Sequence, residues 1–148
     1  MTRDDQGSGF TLHVPDVSMD AVERYHEAWR LLEGQQPRDA IAVLEPAVEQ
    51  EPDSTSLRTL RAWAYFQSAH LTGAESDLRM IVEERPTDVW AHFALGRTLE
   101  RQSRLQDALP HLRLAAVMSG DPEHETAVLR VERRLAERGE KPFDDLTD

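Results

Sequence analysis

The sequence predicts an all-α protein, a solenoid of three helix pairs closed by a seventh helix. Three observations carry that prediction. The chain of 148 residues repeats itself at a spacing of 34, the signature of stacked helical units. Within each unit apolar residues recur at three- and four-residue steps, the period of an amphipathic helix. No run of alternating or β-branched residues competes as a strand.

The period is legible residue by residue. Ala40, Ala74 and Ala108 fall in register, as do Leu44, Leu78 and Leu112, then Ala28, Ala62 and Gly96, then Leu31, Tyr65 and Leu99, and Pro52 with Pro86. The third unit has Gly120 in place of the proline and Pro122 two residues on. The repeat region, 19–122, divides into units 21–54, 55–88 and 89–122, preceded by an arm over 1–18 and followed by a capping helix over 123–139 and an acidic tail over 140–148.

Each unit reads as two helices. In the first, Ala21 to Glu33 is helical and Gly34 stops it; Pro37 suits the first turn of the next helix, which runs to about Glu51. In the second unit, Asp53 caps a helix reaching about Ala69, and Thr72 with Glu75 forms a capping-box pattern for a helix that ends before Pro86. In the third, Asp88 starts one helix, and Ser103 with Gln106 repeats the box for the other. Asp121 and Pro122 open the seventh helix, which runs to Arg138 and stops at Gly139. Its stripe of Ala127, Val128, Val131 and Leu135 faces the stack, with Glu132, Arg133, Glu137 and Arg138 toward water. Pro46 falls well inside its helix, removes a hydrogen bond to Ala42 and predicts a kink; Pro110 lies nearer its helix start.

Composition bounds the function. Acids outnumber bases 28 to 17, a net charge of −11, which argues against a nucleic-acid footprint because phosphate binding needs a basic surplus. Cysteine is absent, so a disulfide scaffold, a thiolate zinc site and a cysteine nucleophile are excluded. No apolar stretch is long enough to span a bilayer and no leader-like start is present, so no membrane association is expected and the cytoplasm is the expected compartment. Lys141 is the single lysine and asparagine is missing, a bias of GC-rich coding that suggests a bacterial source. The six histidines make no pair at metal-ligand spacing, and no nucleophile elbow, phosphate loop or dinucleotide fingerprint occurs. Neither a cofactor nor enzymatic activity is expected.

With small residues at the eighth and twentieth positions of each unit, large apolar ones at the eleventh and twenty-fourth and proline near the thirty-second, the chain resembles the tetratricopeptide-repeat family over residues 21–122. It departs from the family pattern at position four, which holds Arg24, Arg58 and His92, and at position seven, which holds Glu27 and Arg61 before Leu95 restores it. The first helices are therefore expected to pack differently from the family consensus. A Glu27–Arg61 ion pair between adjacent units is one reading, and separate solvation of both side chains the other.

The resemblance implies a right-handed superhelix whose concave face, lined by the first helix of each unit, holds an extended peptide or a partner helix. The family's groove positions fall here on Tyr25, Trp29 and Leu32, then Trp63 and Phe66, then Trp90, Phe93, Arg97 and Arg101. Each ring buries roughly 150–250 Å², so six bare rings would make about 900–1500 Å², far above the patch a monomer normally exposes. Either several belong to the core between units, or a partner or a tail of this chain covers them. Arg97, Arg101 and Arg104, followed by Arg130, Arg133, Arg134 and Arg138, read either as a solvated face or as the acid-seeking end of the groove.

The expected ligand is thus a protein or peptide segment with apolar and acidic residues. Both ends of the chain, with Phe10, Leu12 and Val14 in one and Phe143 and Leu146 among aspartates in the other, fit that description. Homo-oligomers by tail exchange are therefore a further expectation, beside an adaptor and a chaperone or assembly factor that shields a client. Clamp residues used by family members that hold the acidic tails of heat-shock chaperones, namely lysine, arginine and asparagine, are poorly represented on this face. Charge is polarised along the chain: the first unit carries eight acids against three bases, the third three against four.

Overall fold

The computed structural model describes residues 20–141 and contains seven helices among them. They are α1 (Ala21–Glu33), α2 (Pro37–Gln50), α3 (Thr55–Gln67), α4 (Leu71–Glu84), α5 (Val89–Arg101), α6 (Leu105–Ser119) and α7 (Pro122–Glu137). Consecutive helices pack as neighbours, and α1 also touches α3, α3 touches α5 and α5 touches α7, so the odd-numbered helices form one continuous layer. The two ends of the chain, with their expected role as ligands, lie outside the described residues.

The helix starts follow two rules. Odd-numbered helices are capped by side chains: Asp20 accepts from the Glu23 N–H at 2.9 Å, Asp88 from Ala91 at 3.0 Å and Asp121 from Glu123 at 2.9 Å, each satisfying a donor the helix leaves open. In α3 the cap is Ser54, not Asp53; its hydroxyl accepts from the Leu57 N–H at 3.3 Å. Even-numbered helices have no side-chain cap. The expected capping boxes therefore do not form. Thr72 is already inside α4, and Ser103 belongs to the turn before α6.

That turn repeats three times. Gln35, Ala69 and Ser103, each 34 residues from the next, take left-handed backbone at φ of 60°, 64° and 61°. Behind each, Gln36, His70 and Arg104 donate to Leu31, Tyr65 and Leu99 carbonyls at 2.8, 2.8 and 2.9 Å, the long bond of a Schellman motif. Gly34, expected to stop α1, is its C-cap with an ordinary φ of −81°; the left-handed residue is the glutamine after it. α2 runs as one helix through Pro46, and α6 through Pro110.

The register residues make the core. Ala28, Ala40, Ala62, Ala74, Ala108, Leu44, Leu78 and Leu112 are all fully buried. α3 is shared between two apolar clusters, giving Leu57, Leu60 and Ala64 to the first unit and Ala62 to the cluster of the later units and α7. This continuity is what lets short helix pairs, unable to bury their own faces, share one core.

The polar residues at position four have a job in this stack. Arg58 Nη2 donates to the Pro52 carbonyl at 2.6 Å, and His92 Nε2 donates to the Pro86 carbonyl at 2.7 Å. Both side chains are buried, and each ties its helix to the proline of the preceding linker. Arg61 at position seven does not pair with Glu27. It grips Asp77 through Nε at 2.8 Å and Nη2 at 2.7 Å, while Glu27 pairs with Arg30 of its own helix. Arg58 Nε lies 3.8 Å from the same Asp77, so one buried carboxylate of α4 serves two arginines of α3.

Candidate functional site

The face formed by α1, α3, α5 and α7 carries the expected groove residues, and the structure sorts them into three groups. Leu32 is not on that surface: it is fully buried in the first core cluster, where its stripe turns inward. Tyr25, Trp29, Trp63 and Trp90 line one open cleft of about 470 Å³, together with Thr55, Ser56, Thr59, Leu60, Arg85 and Asp88. Phe66, Phe93, Arg97 and Arg101 form the remaining half of the face.

In the cleft the rings organise one another. Tyr25 and Trp29, one turn apart on α1, stack with centroids 6.4 Å apart, and Trp63 of α3 meets Trp29 edge-on at 5.5 Å. Trp29 is 41% exposed and Trp90 is 40% exposed, while Tyr25 and Trp63 are half-buried and pack on the first cluster. The spacing of 34 places Trp63 beside Trp29 because equivalent positions of neighbouring repeats face the same way. A second hollow, lined by Ala21, Val22, His26 and Glu51, continues past Tyr25 and Ser56.

The other two rings are roofed by cations. Arg101 lies over Phe66 at 4.9 Å and donates to the Phe66 carbonyl at 3.0 Å, crossing from α5 to α3. Arg97 lies over Phe93 at 6.0 Å, and His124 of α7 stacks on Phe93 at 4.2 Å. Arginine and histidine thus cover part of the apolar area that six bare rings would expose. Beside them Glu100 is buried among three arginines: Arg130 holds it bidentately at 2.6 and 2.8 Å, Arg97 Nε lies at 3.1 Å and Arg134 at 3.7 Å. Burial pushes its carboxyl up, but the arginines outweigh burial and hold it below the ordinary carboxylate value. Three cations around one anion leave this end of the face positive.

Two features lie outside the groove expected from the sequence. His92 of α5 and His111 of α6 meet with Nδ1 atoms 3.2 Å apart and rings stacked at 5.4 Å. Burial first, then His92 and Arg79, push the His111 imidazole down to about 4. At the outer end, Val117 and Leu129 are 83% and 63% exposed and line a shallow groove between α6 and α7, and Leu114 of α6 is 41% exposed. The sequence signal for this patch was available: Val117 stands where earlier units have Glu49 and Glu83, and Leu129 repeats the register of Leu95, which is fully buried. Among the described residues no helix is long and apolar enough to cross a membrane.

A family model described as tetratricopeptide repeat matches residues 31–91. No curated protein matches the chain in sequence. Solved structures do in fold. The first tetratricopeptide-repeat domain of Spaghetti (RPAP3), in a structure bound to the HSP90 peptide SRMEEVD, is 20% identical with a TM-score of 0.74, covering 80% of this chain and 95% of that one. A MamA D159K mutant is 18% identical with a TM-score of 0.73, covering 79% of this chain and 69% of that one. MamA of Desulfovibrio magneticus RS-1, from its residue 41 onward, is 14% identical with a TM-score of 0.76, covering 79% and 67%. At such identities the likeness establishes the fold.

Proposed function

From the premise that the chain is a tetratricopeptide-repeat protein, we propose that it is a non-catalytic adaptor that holds a segment of a partner protein across the face built by α1, α3, α5 and α7. The observation that carries this reading is the cleft of Tyr25, Trp29, Trp63 and Trp90, a preformed aromatic hollow on a rigid layer of helices. Its volume lies within the range of ligand clefts. Aromatic anchors seated in such a hollow carry most of the binding energy of an interface, and a preformed surface spares the cost of ordering.

The two halves of the face suit a segment with direction. The cleft offers aromatic faces to one end of the segment, and carboxylates at the other belong near Arg97, Arg101, Arg130 and Arg134, which outnumber Glu100. The likeness to a domain solved with a bound acidic peptide supports a peptide-binding role in general. Shielding an apolar client segment, as a chaperone or assembly factor does, would use the same cleft. The test is affinity capture from cells of the source organism with wild type and a Trp29→Ala, Trp90→Ala variant shown to be folded. Both residues are well exposed, so their loss leaves the core intact. A partner retained by wild type and lost by the variant supports the adaptor; equal recovery of every protein removes the cleft from the account.

Self-association is the second reading, supported by the exposed Leu114, Val117 and Leu129 at the C-terminal end of the stack. Light scattering across a concentration series, with Leu129→Glu as control, decides it. A mass that rises with concentration in wild type alone supports this reading, and a constant monomer mass discards it.

A further inference from the structure

The seven rings of Phe, Tyr and Trp among the described residues divide cleanly. Arginine lies over Tyr65, Phe66 and Phe93, from Arg61, Arg101 and Arg97. Among the described residues no arginine is recorded over Tyr25, Trp29, Trp63 or Trp90, and these four line one cleft. Among the described residues, arginines cover the other three rings and leave this set open. The open rings belong mostly to Trp, whose face attracts cations best among the aromatic side chains.

Charge around the cleft points the same way. Glu51 borders the adjoining hollow and Asp88 lines the cleft itself, against Arg85 as the one basic lining residue. The first unit, which supplies Tyr25 and Trp29, carries eight acids against three bases. Such a balance raises the local concentration of cations over the rings. The acid-seeking arginines lie at the opposite end of the face, on α5 and α7.

We infer that the cleft receives a cationic side chain, arginine or lysine, of the partner segment, held by cation–π contact with Trp29, Trp63, Trp90 and Tyr25. This deepens the adaptor reading and rests on it. The partner segment then has a fixed polarity along the face: its base lies over the aromatic cleft beside the first unit and its acids near Arg97 and Arg130.

The probe is choline, titrated against its neutral isostere 3,3-dimethylbutan-1-ol, with tryptophan emission as readout. Choline is expected to bind at least about fivefold more tightly, a discrimination of roughly 1 kcal/mol that matches a partly exposed cation–π contact. Glu51→Gln is expected to weaken choline about twofold and leave the alcohol unchanged. The Trp29→Ala, Trp90→Ala variant, which keeps only Trp63 as an emitter and is therefore titrated by calorimetry beside wild type, is expected to lose the choline response. Equal or tighter binding of the alcohol overturns the inference while leaving an apolar adaptor cleft standing, as does an unaltered choline response in the double variant. No response to either probe also overturns it. Failure of the adaptor reading itself shows separately, as capture of partners that ignores the cleft.

Discussion

Gly96→Ala separates the logic of the repeat from the logic of the packing. By the repeat, alanine is the resident of this position, since Ala28 and Ala62 occupy it in the first two units. By helix propensity, replacing a mid-helix glycine gains about 1 kcal/mol. The structure opposes both. A Cβ on Gly96 would lie 2.6 Å from Leu112 Cγ and Cδ2 and 3.2 Å from the Leu112 backbone nitrogen. Leu112 is fully buried on α6, so either its side chain leaves its place in the core or α5 and α6 separate. Overpacking of this kind costs roughly 1–3 kcal/mol. Set against the propensity gain, the backbone contact favours the upper part of that range and a net loss of about 1–2 kcal/mol. For a chain of this length that lowers Tm by about 2–4 °C per kcal/mol. Thermal and urea unfolding followed by circular dichroism measures it. In a Leu112→Ala background the same change should cost much less or become stabilising, because the two closest atoms, Cγ and Cδ2, are gone and only the 3.2 Å backbone contact remains. An increase in stability of about 1 kcal/mol in the wild-type background would refute the reasoning.

Further outcomes follow from the same contacts. Ala69→Gly should stabilise by a few tenths to about 1 kcal/mol, because the left-handed conformation at φ 64° strains alanine and not glycine; a loss on urea unfolding would contradict the repeated turn. Asp77→Ala strips the buried carboxylate from Arg58 and Arg61 and should cost about 3–5 kcal/mol, read as a lower urea midpoint; Asp77→Asn should cost less. Acid should act in two windows. His111 binds its proton more weakly folded, at about 4, than unfolded, near 6.5, so stability falls as pH drops between those values, by at most about 1.4 kcal/mol per pH unit. His111→Gln should flatten that window alone. Glu100, held low by its arginines, contributes stability that is complete above the unfolded carboxylate value of about 4.3 and is lost as pH falls below it.

What the sequence made legible was set by the period. The 34-residue register located the six helices of the repeats and the buried alanines and leucines, because each equivalent position meets an equivalent neighbour, and Asp121, Pro122 and Gly139 bounded the seventh. Local capping patterns misled where that geometry intervened: Thr72 and Ser103 look like box residues, but the left-handed turn at Ala69 and Ser103 delivers the chain into α4 and α6 without a cap. The departures at positions four and seven were visible and their partners were not. Arg58 and His92 reach back six residues to the Pro52 and Pro86 carbonyls of the linkers before their helices, and Arg61 reaches Asp77 across helix packing that pairwise spacing does not encode. At the site, the six aromatic positions were readable as one face, but the division into four open rings and two roofed ones depends on where Arg97, Arg101 and His124 come to rest. Leu32 shares the helical stripe of Tyr25 and Trp29, yet the inward turn of that stripe buries it.

The most direct measurement is site-specific photocrosslinking from two positions on opposite parts of the molecule. Ser56 lines the aromatic cleft, and Val117, 83% exposed, lies at the outer end of the stack. A photoreactive side chain at position 56 should trap the captured partner, and the same group at position 117 should not. Trapping from 117 with none from 56 would place the partner on the α6–α7 end and contradict the assignment of the cleft.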